Sequence, residues 1–256
     1  SDVINPNFII SNGTLDFFAD KKGLEIEGNA KVKDLPIQAK LLGSLAKDEP
    51  KFLEIDFSLS EKVLEMLPDG FPEIKISGSA PAKLYLKFLE SNKVEFDLVS
   101  DLKGVELSYL PIGWVKEMNE KAELKVSGTM GNEFVLNNVY LISPSLALVG
   151  SAVQQKDENF MLNFEKLALE DVFDLQLIIE KDGVLKITGG ELDMQEFIKL
   201  PLVKNSSKKS TPIIIYLDEL KLYKEQVITG FTAALEATGK GKFSGSLHDL
   251  ASFDGV

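Results

Sequence analysis

The chain has 256 residues, of which 44% are hydrophobic and 27% charged, a composition typical of one or two folded domains. Forty acidic residues against 28 lysines give a formal net charge of −12, and the sequence contains no arginine. This balance argues against a nucleic-acid-binding role, because neutralising phosphates needs basic side chains. The absence of cysteine and the single histidine, His248, exclude disulfides, thiolate sites and multi-histidine metal centres within the chain.

Neither end of the chain shows a targeting segment. Residues Ser1–Pro6 lack the basic start of a signal peptide, and no window of about 18 apolar residues predicts a membrane span. The last residues, Ser252–Val256, follow a strand-like run without a clear stop, so we expect the chain to be a piece of a longer protein. The polar tract at 204–212 predicts a flexible loop between strand repeats at 1–203 and a continuing repeat at 213–256, although the two could form one continuous domain.

In chain order, alternation of apolar and polar residues indicates strands. It is clear over Leu53–Leu59, Lys83–Phe88, Lys93–Leu98 and Ala122–Val126. The short segment Glu90–Asn92 predicts a hairpin turn, so its two flanking strands should be antiparallel neighbours. Strands with one apolar and one polar face are typical of antiparallel sheets.

Helical patterns are few and short. Ser60–Leu67 begins with a candidate N-cap and ends before a proline, and Asp193–Ile198 carries a capping-box-like start. Pro111–Lys116 predicts a further turn, in which Trp114 is more typical of core packing at a sheet end than of ligand stacking. Asp182–Gly183 predicts a hairpin between later strands. None of these helices is long enough to cover a large sheet.

One spacing of apolar residues recurs along the chain: two residues separate the first apolar residue from the second, and one residue separates the second from the third. It occurs at Leu136–Leu141, Phe164–Leu169 and Leu217–Leu222, with a looser copy at Val99–Val105. The step of three shifts the strand phase by one residue, which a β-bulge would absorb while bending the strand. The fold class we predict is mainly β: an elongated, curved antiparallel sheet of repeated strands and hairpins, with a few short helices.

Motifs for catalysis are weak. Acidic pairs such as Glu170–Asp171 could serve glycoside hydrolysis but are more typical of a solvated strand face. Ser44–Lys47 fits a penicillin-enzyme motif that also matches elsewhere by chance, and Gly239–Lys242 lacks the frame of a phosphate loop. His248 is more typical of an exposed or capping residue than of a base. We expect no catalytic residues, no metal, no cofactor and no enzyme activity.

Several segments together resemble the AsmA-like superfamily, in its YhdP- and TamB-type branch of bridge-like lipid-transfer proteins. The resemblance is carried by five segments and covers most of the chain: Gly28–Ile37, Ile74–Leu86, Phe96–Leu107, Gly189–Met194 and Tyr216–Leu222. It implies a long curved sheet with an apolar groove that carries phospholipid across the periplasm, in an inner-membrane-anchored bacterial protein. The anchor would lie outside this chain.

The resemblance implies a non-enzymatic lipid-binding segment whose partners are phospholipid acyl chains and, through other parts of the protein, membranes. Each methylene buried in such a groove contributes about 0.8 kcal/mol. The candidate groove-lining residues are Leu84, Leu86, Phe88, Val94, Phe96, Leu98, Leu124 and Val126. Two alternatives remain: a structural or adhesive β-repeat module in which these residues pack in a sealed core, and a carbohydrate-active enzyme on a β-scaffold.

Overall fold

The computed structural model describes most of the chain. The described residues are 10–21, 23–44, 49–66, 74–89, 92–131, 133–154, 160–201, 211–223, 226–238, 240–247 and 251–255. The expected hairpin turn at Glu90–Asn92 and the polar tract at 204–212 fall largely outside these residues, and His248 does so entirely.

Most of the described residues form one open sheet of sixteen strands. Its strands are, in chain order, β1 (Ile10–Asp20), β2 (Gly23–Val32), β3 (Leu35–Gly43), β4 (Lys51–Leu59), β6 (Ala80–Phe88), β7 (Val94–Ser100), β10 (Glu123–Met130), β11 (Val135–Ile142), β12 (Leu146–Gln154), β13 (Phe160–Leu169), β14 (Phe173–Ile179), β15 (Leu185–Asp193), β16 (Ile213–Lys221), β17 (Val227–Leu235), β18 (Gly241–Leu247) and β19 (Ala251–Gly255). The strands neighbour one another in chain order, so the sheet is about 70 Å long across its strands. The predicted fold class, mainly β with an elongated antiparallel sheet and few short helices, is confirmed.

One pairing in this sheet differs from the rest. Strands β15 and β16 are parallel, with Ile187 opposite Ile215, whereas all other neighbours are antiparallel. A parallel pair needs a crossover connection, because the chain must return to the starting edge of the sheet. The structure describes residues 194–201 and 211–212 of this connection, which begins with a short helix.

A small sheet and two helices form a second layer, of which the sequence patterns predicted the helices but not the sheet. The small sheet consists of β5 (Lys75–Gly78), β8 (Val105–Tyr109) and β9 (Trp114–Lys116). The helices α1 (Glu61–Leu64) and α2 (Met194–Phe197) complete it. We call the small sheet and the two helices together the capping layer. The large sheet is therefore covered by a second layer along part of one face.

The two helices agree with their sequence signals. The Asp193 side chain accepts hydrogen bonds from the backbone N–H groups of Gln195 and Glu196, at 2.8 and 3.2 Å, as an N-cap should. Ser60 stands at the N-cap position of α1 without a side-chain bond. The turn predicted at Pro111–Lys116 is only partly right, because a 3-10 turn at Leu110–Ile112 gives way to strand β9, which contains Trp114.

Irregular pairings follow the predicted apolar spacing. The register shifts between Leu136 and Val139 and between Phe164 and Leu167, where the step of three was expected to produce bulges. At Leu217 and Leu220 the register continues without a shift. In the looser copy, Val99–Val105, the chain instead leaves the large sheet for the small one. Bulges bend and twist the strands that contain them.

Glycines accommodate several of these irregularities. A Cβ atom at Gly150 would collide with the backbone oxygen of Asn163, and one at Gly128 would collide with that of Val135. Both glycines lie where the register shifts. The chains approach so closely at these two points that only glycine fits.

Candidate functional site

The two faces of the large sheet differ sharply in chemistry. Because side chains alternate along a strand, each row of directly opposite residues lies on one face. One unbroken row crosses all sixteen strands and contains only aliphatic residues, phenylalanine and glycine. Its members are Leu15, Gly28, Ala39, Ile55, Leu84, Leu98, Val126, Val139, Gly150, Phe164, Leu177, Ile187, Ile215, Ala233, Phe243 and Gly255. We call this the central row, and its face the apolar face.

A second row of the same character runs beside the central row. It begins at Phe17 on β1, passes through Leu86 and Phe96, and ends at Gly241 on β18. Neither row contains a polar or charged residue. A continuous apolar strip therefore runs across almost the whole sheet, perpendicular to its strands.

The opposite face carries the charges, and we call it the charged face. Lysines and acids pair there across neighbouring strands. Lys83 contacts Glu54 at 3.0 Å and Asp56 at 2.8 Å, and Lys87 contacts Glu95 at 3.1 Å. The hydrogen bonds that Lys83 donates to the carboxylates of Asp56 and Glu54 raise its pKa above the usual value. The pairs are exposed and contribute little stability each, but they keep one face of the sheet hydrated.

The capping layer covers one part of the apolar face. Leu102 and Val105 have no exposed surface, and Trp114 is 5% exposed. They belong to a cluster that includes Leu146 and Leu169 of the large sheet, which we call the capped cluster. The Trp114 indole N–H donates a hydrogen bond to the Ser145 hydroxyl at 3.1 Å. This arrangement agrees with core packing for Trp114.

Lys116 is the buried charged residue of the capping layer. Lys116 is fully buried. Its ammonium donates hydrogen bonds to the backbone oxygens of Val105 at 2.7 Å and Glu117 at 2.9 Å. Burial lowers the pKa of Lys116, while the charges of Glu120 and Asp101 act in the opposite direction. Lys116 thus ties β9 to the start of β8 and has a structural role.

The rest of the apolar face has a different environment. A cluster around Phe96, Leu136 and Ala152 consists of large-sheet residues and of Phe134, which directly precedes β11. No residue of the capping layer belongs to this cluster. Among the described residues, its side chains are therefore shielded only by neighbours on the same face. We call this the open cluster.

Phenylalanine rings lie across glycines on the apolar face. A Cβ atom at Gly128 would lie 2.8 Å from the Phe96 ring, and one at Gly150 would lie 2.7 Å from the Phe164 ring. Each pair is directly opposite in register. Phe96 lies across Gly128 and is stacked by the Phe134 ring, with the ring centroids 5.9 Å apart, so it is only 8% exposed although no second layer among the described residues covers it. The rings therefore add apolar surface without standing high above the sheet.

All eight predicted lining residues lie on the apolar face, but in two environments. Leu84, Leu86, Phe96 and Val126 belong to the open cluster. Two others, Leu98 and Leu124, pack against the capped cluster. The remaining pair, Phe88 and Val94, are opposite each other at the strand ends farthest from the capping layer.

The prediction missed the same face on the later strands. Val139, Phe164 and Leu177 extend the strip beyond β10. A bulge shifts the alternation of apolar and polar residues by one position along the strand. A search for strict alternation therefore misses the apolar-face residues on these strands. The recurring apolar spacing at Leu136–Leu141 and Phe164–Leu169 was the usable signal.

Within the described residues, no group of three or more acidic or histidine side chains is arranged to hold a metal ion. None of the helices in the described part of the chain has the length and apolar character needed to cross a membrane. Comparisons with protein-family models, with curated proteins and with solved structures found no match for this chain.

Proposed function

We propose that this chain is a non-enzymatic lipid-binding segment of a periplasmic, bridge-like phospholipid transport protein of the AsmA-like type. Phospholipid acyl chains lie on the open part of the apolar face. The observation that carries the proposal is the central row, which crosses sixteen strands without a polar side chain. A sealed core needs an apolar face but has no need for one that extends about 70 Å in a single strip.

The energetics favour a hydrocarbon ligand. No second layer covers the open cluster among the described residues, so an acyl chain that lies on it removes further apolar surface from water. Such burial contributes about 25 cal/mol per Å². Since aliphatic contacts are weak and similar along the strip, an acyl chain can shift along it without a large barrier. Headgroups have no partner within the two apolar rows and remain at the edge of the strip.

The capped cluster supports the second candidate function, a structural or adhesive β-repeat module. There Leu102, Val105 and Trp114 form an ordinary sealed core. A module of this kind would bind no lipid, and the open cluster would be covered by another protein surface. The two functions differ in what the open cluster contacts.

Native mass spectrometry with lipid extraction distinguishes them. The chain is purified from bacterial membranes and from lysate, and it is compared with Leu86→Asp and Tyr85→Asp. Leu86 is in the open cluster, whereas its neighbour Tyr85 is 41% exposed on the charged face. We expect co-purified phospholipid in the wild type and in Tyr85→Asp, and its loss in Leu86→Asp.

Circular dichroism of each variant checks that the fold survives. A lipid-free wild-type chain that also fails to take up a fluorescent phospholipid would contradict the proposal and favour the structural module. Equal lipid loss in Tyr85→Asp and Leu86→Asp would show that the lipid does not bind at the apolar face.

A further inference from the structure

One lysine interrupts the chemistry of the apolar face. Among the described residues that pair on this face across the sixteen strands, Lys51 at the start of β4 is the only charged one. It lies directly opposite Phe88 and two residues before Leu53, which belongs to the second apolar row. Its neighbour Phe52 lies opposite Lys87 on the charged face, as strand alternation requires. Lys51 therefore places one positive charge just outside the apolar strip.

Lys51 stands at one corner of the open cluster. That cluster extends from Leu86 on β6 to Leu162 on β13, across six neighbouring strands or about 24 Å. The next strand beyond β6 is β4, where Lys51 lies diagonally across from Leu86. The aliphatic stem of Lys51 packs beside Gly43 of β3, where an added Cβ would lie 3.4 Å from the lysine Cγ. A ligand that lies along the open cluster from β13 to β6 therefore ends beside Lys51.

The Lys51 ammonium is available to a ligand. Lys51 is exposed, and among the described residues its ammonium has neither an ion pair nor a hydrogen bond; Glu49, two residues before it, does not pair with it. The lysines of the same strands on the charged face are used differently. Lys83 contacts two acids of β4, and Lys87 contacts Glu95 at 3.1 Å. The acids around Lys51 in the sheet are thus on the opposite face and already paired, so its charge is not neutralised by them.

From this placement we infer that Lys51 binds the phosphate of the phospholipid whose acyl chain lies on the open cluster, an inference that rests on the proposed function. A lysine ammonium binds phosphate as a point charge. The phosphate is common to all phospholipids, so Lys51 selects them over an uncharged lipid with the same acyl chains. It also orients the ligand, with the headgroup at β4 and the acyl chain directed toward β13.

Isothermal titration calorimetry with two short-chain lipids tests the inference. Dihexanoylphosphatidylglycerol and dihexanoylglycerol have the same acyl chains, but only the first has a phosphate. We expect Lys51→Gln to weaken binding of the phosphatidylglycerol about fivefold and to leave binding of dihexanoylglycerol unchanged. Lys51→Arg should bind both lipids as the wild type does. The matched control is Lys242→Gln, because Lys242 is an exposed lysine on the charged face of β18 that also has no ion pair among the described residues.

Three further comparisons identify what Lys51 recognises. Attraction between exposed charges is screened by salt, so the difference between wild type and Lys51→Gln should shrink as the salt rises from about 0.05 to 0.5 M. Equal weakening of both lipids by Lys51→Gln would overturn the inference in favour of a packing role. Equal weakening by Lys242→Gln would overturn it in favour of general charge attraction. Glycerol 3-phosphate, which has no acyl chain, would overturn it in favour of a soluble phosphate ester if it bound as tightly as the phosphatidylglycerol.

Failure of this inference is distinguishable from failure of the proposed function. A wild type that binds both lipids, with the affinity of Lys51→Gln for the phosphatidylglycerol unchanged, would overturn the role of Lys51 and leave lipid binding at the open cluster standing. A wild type that binds neither lipid would overturn both. Circular dichroism of each variant verifies the fold, which a substitution at this exposed position should preserve.

Discussion

The capped and open parts of the apolar face use the same residue types in different environments. In the capped cluster, Leu102 and Val105 are fully buried where the small sheet packs against the large sheet. In the open cluster, Leu84 and Val126 are only partly buried. At the first strand of the sheet, Phe17 is 65% exposed. Residue type alone therefore does not separate a sealed core from a binding surface; the presence of a second layer does.

This difference assigns two roles to one sheet. The capped cluster has its full hydrophobic burial within the folded chain, so it should supply a large share of the stability. In the open cluster, Phe96, Leu136 and Ala152 are already buried, and the partly buried residues packed around them complete their burial only when a ligand covers them. Substitutions in the two regions should therefore separate effects on folding from effects on binding.

The largest expected effect on stability comes from the capped cluster. Leu102→Ala should lower the free energy of unfolding by about 4 kcal/mol, because it leaves a cavity at a fully buried position. Leu84→Ala, in the open cluster, should cost only about 1 kcal/mol, because its side chain is already partly hydrated. Chemical denaturation of both variants measures the difference. Equal losses would mean that the two regions are packed alike.

The next effect concerns Lys116. Lys116→Met should lower the free energy of unfolding by about 3 kcal/mol, because the buried oxygens of Val105 and Glu117 lose their charged donor. The same measurement on Lys103→Met, an exposed lysine at the preceding turn, is the control and should show almost no change. A loss of lipid binding without a loss of stability would contradict the structural role of Lys116.

A smaller effect tests the bulges. Gly150→Ala should destabilise the fold by about 2 kcal/mol, because its Cβ atom would displace the backbone of Asn163. Gly131→Ala has no neighbouring atom closer than 3.8 Å and should be close to neutral. Thermal unfolding of the pair provides the comparison. If Gly150→Ala were neutral too, the close chain approach at this bulge would be disproved.

The smallest effect is on the charged face. The pKa of Lys83 is raised by the hydrogen bonds that it donates to Asp56 and Glu54, so its folded form binds a proton more tightly than its unfolded form. The resulting stabilisation is present below the unfolded lysine pKa, about 10.4, and is lost as the pH rises through the folded value. Unfolding of wild type and Lys83→Met from about pH 8 upward should show the steeper fall in the wild type. Parallel curves would show that the pair has no net effect.

Local patterns predicted much of the large sheet. Alternation located β4, β6, β7 and β10, and the spacing at Leu136 and Phe164 located two bulges. The small sheet was missed because its strands have only three to five residues and because β5 pairs with β8, about 30 residues further along the chain. Alternation within such short segments carries little information, and their pairing depends on tertiary packing.

The candidate site was predicted in part for similar reasons. The eight predicted residues share one face because strict alternation on β6, β7 and β10 fixes their orientation. Gly150, Ala152 and Ala233 also lie on that face, but small residues do not stand out in an apolar pattern. The division of the face into capped and open parts could not be predicted, since it depends on where the small sheet packs.

Quenching of tryptophan fluorescence by phospholipids with brominated acyl chains tests the central claim most directly. Trp114 is the only natural tryptophan and lies in the capped cluster, so it serves as an internal reference. Phe164→Trp adds a tryptophan in the central row, and Tyr140→Trp adds one on the charged face of the neighbouring region. We predict strong quenching of Phe164→Trp alone, with wild type and Tyr140→Trp unaffected. Equal quenching of all three proteins, or none in Phe164→Trp, would contradict acyl-chain binding at the open part of the apolar face.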